Sequence, residues 1–240
     1  MTARSKFWLI TLSALLAVAA TLALGLWQLS RAAQKQAVQA SIDVKAASPA
    51  LNGPALASLS APALEMYRGV SLRGRWLAEQ TVFLDNRPMN GKPGLYVVTP
   101  MKLEDGGAPI LVLRGWVARN FVDRASVPTL ETSAGVVEIQ GRIVPPPSKL
   151  YELGGTETGR IRQNLDIAQF RAETGLPLLS VWVQQTGAAS EGLLREWPLA
   201  RMGVDKNYGY AFQWFGLSGL IAILYVWFQI VRRFIYPKRA

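Results

Sequence analysis

Two constellations of aromatic and polar side chains sit at helical spacing near opposite ends of this 240-residue chain. In the first, Trp27, Gln28 and Arg31, the indole and the guanidinium are four residues apart and share a helix face, and a guanidinium pairs in two-point fashion with carboxylates. The second holds Tyr208, Tyr210, Gln213 and Trp214, the last three at i, i+3 and i+4. Both sets suit binding or anchoring at a membrane interface, where tryptophan and tyrosine settle and arginine snorkels. A third set, Arg114-Gly115-Trp116, ends a strand-like run. Glycine inside a strand marks a bulge or a close backbone approach, so these three read as structural or partner contacts. Ser148-Lys149 is the one Ser–Lys neighbour pair between residues 32 and 206, the residue types of a histidine-free hydrolase. Neighbours on a strand point apart, which disfavours it.

Two absences narrow the chemistry further. The chain has no cysteine and no histidine. Disulfides, thiolate nucleophiles, Ser-His-Asp hydrolysis, the usual zinc sites and imidazole ligation of haem are therefore closed to it. No catalytic residue and no metal ligand set is expected, and the chain reads as a non-enzyme.

The elements that must hold these residues begin with two apolar runs. Lys6 and Arg31 enclose 24 uncharged residues, and Lys206 and Arg232 enclose 25. A helix of about 20 apolar residues crosses the roughly 30 Å hydrocarbon core of a bilayer. A cleavable signal peptide competes for the first run, since Ala17-Val18-Ala19 has a small-x-small pattern, but the apolar run continues past it. The basic tail Arg232, Arg233, Lys238 and Arg239 keeps the C-terminus cytoplasmic, and two spans put the N-terminus on the same side. Ala19 with Ala23, and Ser218 with Ala222, offer small faces for helix packing. The net charge of +10 belongs mostly to these flanks: residues 32–206 carry 19 Lys and Arg against 16 Asp and Glu. No nucleic-acid footprint results, and membrane lipid is the expected partner of the tail.

Between the spans the period changes from helical to two. Six candidate strands are 67–76, 81–86, 95–103, 109–117, 136–144 and 178–185, separated by Gly-, Asn- and Pro-rich turns. One helix is expected at 166–174, with Asn164 as its cap and Gly175 as its stop. The fold class is α+β: two transmembrane helices flanking a mainly antiparallel β domain, or small partly closed barrel, with one or two short helices. The divisions are residues 1–6, cytoplasmic N-terminus; 7–29, first span; 30–66, helix extension and spacer; 67–206, extracytoplasmic β-rich domain; 207–231, second span; and 232–240, basic cytoplasmic tail.

Leu24-Gly25-Leu26-Trp27-Gln28-Leu29-Ser30-Arg31 with Lys35, Gly94-Leu95-Tyr96-Val97-Val98-Thr99-Pro100, Arg114-Gly115-Trp116-Val117 and Asn207 to Phe215 occur in an order that resembles the Surfeit locus protein 1 family. The resemblance covers nearly the whole chain. It implies an assembly factor for haem-copper cytochrome c oxidase, a chaperone of respiratory-chain biogenesis in the bacterial inner membrane with its central domain periplasmic. It also implies cytochrome c oxidase subunit I and haem a synthase as partners, and haem a as the group handled. Trp27, Gln28, Arg31, Tyr208, Tyr210, Gln213 and Trp214 would then meet haem or a partner. The chain departs from the family at one point, where many members carry a histidine before the second span's Tyr-Ala pair and this sequence reads Lys206-Asn207-Tyr208-Gly209-Tyr210. Tyr208, Tyr210, Met202 or a partner is left to ligate any iron. A purely structural clamp on subunit I is the alternative.

Overall fold

In the computed structural model, residues 2–105, 107–122, 129–151, 159–198 and 203–235 are described. Along the chain run α1 (Ala3–Ala47), α2 (Gly53–Ala57), β1 (Gly69–Trp76), β2 (Val82–Leu84), β3 (Gly94–Leu103), β4 (Ile110–Ala118), β5 (Val136–Val144), β6 (Ile161–Arg162), α3 (Ile167–Thr174), β7 (Trp182–Gln185) and α4 (Val204–Tyr225). The chain forms two compact units, Met1–Ser41 with Ala200–Ala240, and Ile42–Leu199.

The first unit is a helix pair. Both helices are long and apolar enough to cross a membrane. At 1.5 Å per residue α1 measures about 65 Å, twice a hydrocarbon core, so the polar continuation expected after the first apolar run is one unbroken helix. Leu15, Leu16, Leu26, Phe212 and Ile223 are each more than 60% exposed, the apolar exterior that a lipid solvent calls for. The helices run antiparallel: Thr11 meets Tyr225, Gly25 meets Phe215, and Gln28 meets Asn207. Shielded positions on α1 step by three and four through 11, 14, 18, 21, 25, 28, 32 and 35, and those on α4 through 207, 211, 214, 218, 221 and 225. That 3.5-residue period is a coiled-coil seam. Small residues fill its buried points, Thr21, Gly25 and Ala32 against Ala211 and Ser218. Of the small faces expected from the sequence only Ser218 is used, since Ala19, Ala23 and Ala222 are exposed. Small residues are frequent all round an alanine-rich helix, and the seam period selects among them. Beyond Tyr225 the helix widens into a π-helical stretch, Val226–Ile235.

The second unit is a barrel-like sheet with strand order β1-β5-β7-β4-β3-β2-β6, closed by a further pairing of β1 with β3. Closure needs close backbone approach at Gly74, where a Cβ would lie 2.3 Å from the Lys102 carbonyl oxygen. Most pairings are antiparallel, but β4 with β7 and β2 with β6 are parallel. After a long connection carrying β6 and α3, β7 enters between β5 and β4, antiparallel to the first and parallel to the second. Alternation along β1 buries Val70, Leu72 and Trp76 inside, with Met101, Ile110, Val112, Ile139, Ile143 and Val183 from the other strands. A second cluster lies on the opposite face of the sheet, where Leu111, Leu113 and Trp116 pack with Phe170 of α3, Trp182 and Trp197.

Five of the six expected strands match within about two residues at each end, while the last, expected over 178–185, is only Trp182–Gln185. Two-residue β6 carries no periodicity and escaped the sequence. The α3 cap is Asp166, whose Oδ1 accepts from the Ala168 and Gln169 amides, and Gly175 closes the helix at φ 68°. Asn164 instead holds a different loop, exchanging two 2.8 Å hydrogen bonds with the Leu150 backbone. The spacer holds one short helix, α2, capped by Asn52.

Candidate functional site

At the junction of α1 and α4 the polar contacts converge on one residue. Asn207 donates through Nδ2 to Gln28 Oε1 at 2.7 Å and accepts through Oδ1 from Lys35 Nζ at 2.8 Å. Gln28 and Lys35 are seven residues apart, two helical turns, so they present to the same seam and one amide spans both. Just below, Phe215 lies over Gly25, where a Cβ would fall 2.5 Å from the ring. Asn207 and Lys35 belong to the stretches that carry the family resemblance, though neither is among the site residues expected from the sequence. The signal was an uncapped amide opening an apolar helix, whose hydrogen bonds need a partner.

The other helix-mouth residues are placed differently. Trp27, Arg31, Tyr208, Tyr210 and Gln213 are exposed, and Trp214 is half-buried on the seam side. Arg31 donates to Gln34 on its own helix at 3.0 Å. Among the described residues, Gln28 is the one of the seven with a hydrogen bond to the opposite helix. Trp27, Arg31, Tyr208, Tyr210 and Gln213 leave aromatic and polar side chains exposed within a few residues of Gln28 or Asn207 along the chain. Met202 and residues 236–240 of the tail lie outside the described residues.

Arg114, Gly115 and Trp116 serve three separate purposes in the barrel. The β3–β4 register slips there, with Val97 opposite Gly115 and Val98 opposite Leu113, so Arg114 is the extra residue of a bulge. Its side chain faces inward in step with Ile110 and Val112, fully buried, with its guanidinium 4.6 Å from the Trp76 ring centroid. Arg114 Nη1 donates to Thr132 Oγ1 at 2.9 Å, and Nη2 pairs with Glu191 at 3.0 Å. Glu191 also faces Arg195, whose Nε donates to the Arg114 carbonyl at 2.8 Å. Burial lowers the Arg195 pKa from the ordinary arginine value, with Glu191 opposing that shift. A buried guanidinium without such a carboxylate would cost several kcal/mol. Gly115 leaves room for Leu193: a Cβ there would lie 2.6 Å from Leu193 Cβ and 2.9 Å from the Leu194 carbonyl oxygen. Trp116 donates its indole N–H to the Arg87 carbonyl at 2.6 Å.

Neither Ser148 nor Lys149 forms a nucleophile–base pair, since among the described residues no hydrogen bond joins their side chains, and both are exposed. No group of three metal-ligating side chains occurs among the described residues.

These features define a class: a β-barrel domain with a buried, paired arginine, and a pair of span-length helices knit by a polar junction with exposed aromatic side chains near it. A sequence model of the SURF1 family matches residues 15–219, which takes in most of both helices and the whole barrel. A SURF1-like protein of Rickettsia felis is 31% identical over 216 residues, covering 85% of this chain and 90% of the relative. One from Rickettsia conorii is 30% identical over 213 residues, covering 85% of each. The cytochrome oxidase assembly protein SHY1 of Saccharomyces cerevisiae shares 36% identity over 56 residues, 23% of this chain and 14% of SHY1. The chain belongs to the SURF1 family.

Proposed function

We propose that this protein is a two-pass membrane factor for assembly of haem-copper cytochrome c oxidase, acting by binding. The observation that carries this reading is the family match over 15–219, since it includes the helix mouths and the barrel in one chain. The printed role of SHY1 supplies the process. On this reading both termini are cytoplasmic, following the basic tail, and the barrel is periplasmic.

The finer reading is that the helix pair holds oxidase subunit I while haem a is inserted. The exposed rim of Trp27, Arg31, Tyr208, Tyr210 and Gln213, close to Gln28 or Asn207 along the chain, is the surface offered to subunit I or to haem a synthase. The donor set does not fit haem held by this chain alone. There is no histidine, and of the weaker candidates Tyr208 and Tyr210 are 43% and 53% exposed, while Met202 lies outside the described residues. The iron's ligand is accordingly assigned to a partner, and this chain's part is that of a clamp.

Deleting the gene tests the role: the haem a absorbance of membranes and the activity of the matching oxidase should both fall. Unchanged spectra and activity would reject it. Purification in detergent from cells that make haem a, with haem quantified per chain, tests the clamp reading, for which well under one haem per chain is expected alongside co-purified subunit I.

A further inference from the structure

Within the barrel unit a pocket of about 350 Å³ opens beside the start of α3, at the lower end of the ~300–1,000 Å³ range of small-molecule sites. Its charged lining is Arg87, Lys149 and Arg171 against the single carboxylate of Asp166, which already caps the helix. Trp182, Leu165 and Ile167 add an apolar wall.

The walls are built rather than incidental. Arg87 is 6% exposed; its two terminal nitrogens donate to the Ser148 and Gln163 carbonyls at 2.8 Å each, and its Nε has no hydrogen-bond partner. Asn164 clasps the Leu150 backbone from the other side. The loop bearing Lys149 is thus pinned at two points, directly after three prolines whose φ is fixed. Arg171 is held by the Leu178 carbonyl and Ser180 Oγ, leaving Nη1 uncommitted. Arg87 is thereby committed to holding the loop, and the pocket it backs has a net positive rim in which the Lys149 ammonium and the edge of Arg171 are left for a ligand.

We propose that this pocket binds a small organic anion, an oxyanion carried on a flat apolar body. The oxyanion accepts from Lys149 and Arg171, and the body rests on Trp182 and Leu165. The site stands apart from the oxidase role and does not depend on it.

The test uses the full chain in detergent, with phenyl phosphate, benzoate and inorganic phosphate as probes, followed by saturation-transfer NMR or calorimetry after subtraction of empty micelles. Saturable binding of an aryl anion, weakened about tenfold by Lys149→Met and by Arg171→Met, is expected for loss of a charge-assisted hydrogen bond. The tighter of the two aryl probes identifies the oxyanion class, and weaker binding of inorganic phosphate shows that the apolar wall contributes. Lys149 is exposed and its replacement leaves the Arg87 and Asn164 tethers in place, so an unchanged melting temperature confirms that variant as folded. No saturable binding of either aryl anion up to about 10 mM, or equal binding by the parent and the folded Lys149→Met variant, overturns the proposal.

Discussion

Arg114 and Gly115 sit together where the β3–β4 register slips. Alternation from Ile110 and Val112 carries Arg114 into the barrel at the bulge, and its charge is tolerated because Glu191, a neighbour only in space, comes from a turn where that residue adopts φ 58°. Removing one member of a buried pair costs about 3–5 kcal/mol when the other is fully enclosed. Glu191 keeps 24% of its side chain exposed and retains Arg195, so Arg114→Met should cost less, about 2 kcal/mol, in thermal or denaturant unfolding. Arg114→Lys should fall between, keeping the charge and losing the fork. Gly115→Ala meets Leu193 and a backbone carbonyl, neither of which can swing away, and should lose about 1–3 kcal/mol by overpacking. A parent-like melting temperature for Gly115→Ala would show that the Leu193 turn gives way freely.

At the scale of elements, the helix pair rests on a small-residue seam and on Asn207. Since the chain lacks cysteine, Gln28→Cys combined with Asn207→Cys reports on that seam directly. Oxidation or a short bifunctional thiol reagent should cross-link the pair within one chain, and no cross-link by either would count against the contact. Asn207→Leu removes both hydrogen bonds, each worth about 0.6 kcal/mol between membrane helices, and should loosen the pair without unfolding the barrel. The end of α1 is fastened differently. Glu65 accepts from Arg68 at 3.0 Å and from Lys45 at 3.1 Å, and those bonds, Arg68 first, hold its pKa below the ordinary 4.5. A depressed carboxylate pKa contributes stability that is complete above the unfolded value and disappears as pH falls through the folded one. The stability gap between the parent and Glu65→Gln should therefore persist above pH 4.5 and close on acidification below it, as read by melting temperature against pH.

For the whole molecule, the two units predict two kinds of defect in oxidase assembly. Barrel lesions such as Gly115→Ala should lower the amount of folded protein, and assembly should fall in proportion. Rim lesions such as Trp27→Ala with Arg31→Ala touch exposed side chains, so protein amount should stay while assembly falls. Quantitative immunoblots beside oxidase activity distinguish the two. Loss of protein in the rim variant would make that rim an anchor instead of a contact surface.

Much of this architecture is written along the chain itself. Uncharged runs long enough for two spans, a period of two through the middle, and turn residues between strands are local patterns, set by what water and lipid each exclude from contact. Capping at Asp166 and the stop at Gly175 lie within one helical turn, though the choice of Asp166 over Asn164 turned on where each side chain found donors. The tertiary structure alone decided the rest. The parallel return of β7 beside β4, the closing pair of β1 and β3, the bulge at Arg114 and its meeting with Glu191 all join residues far apart in sequence. So do the Gln28–Asn207 bond and the pocket beside Arg87. Such contacts depend on which distant surfaces fit together once the chain has collapsed, and no spacing within a single segment encodes that.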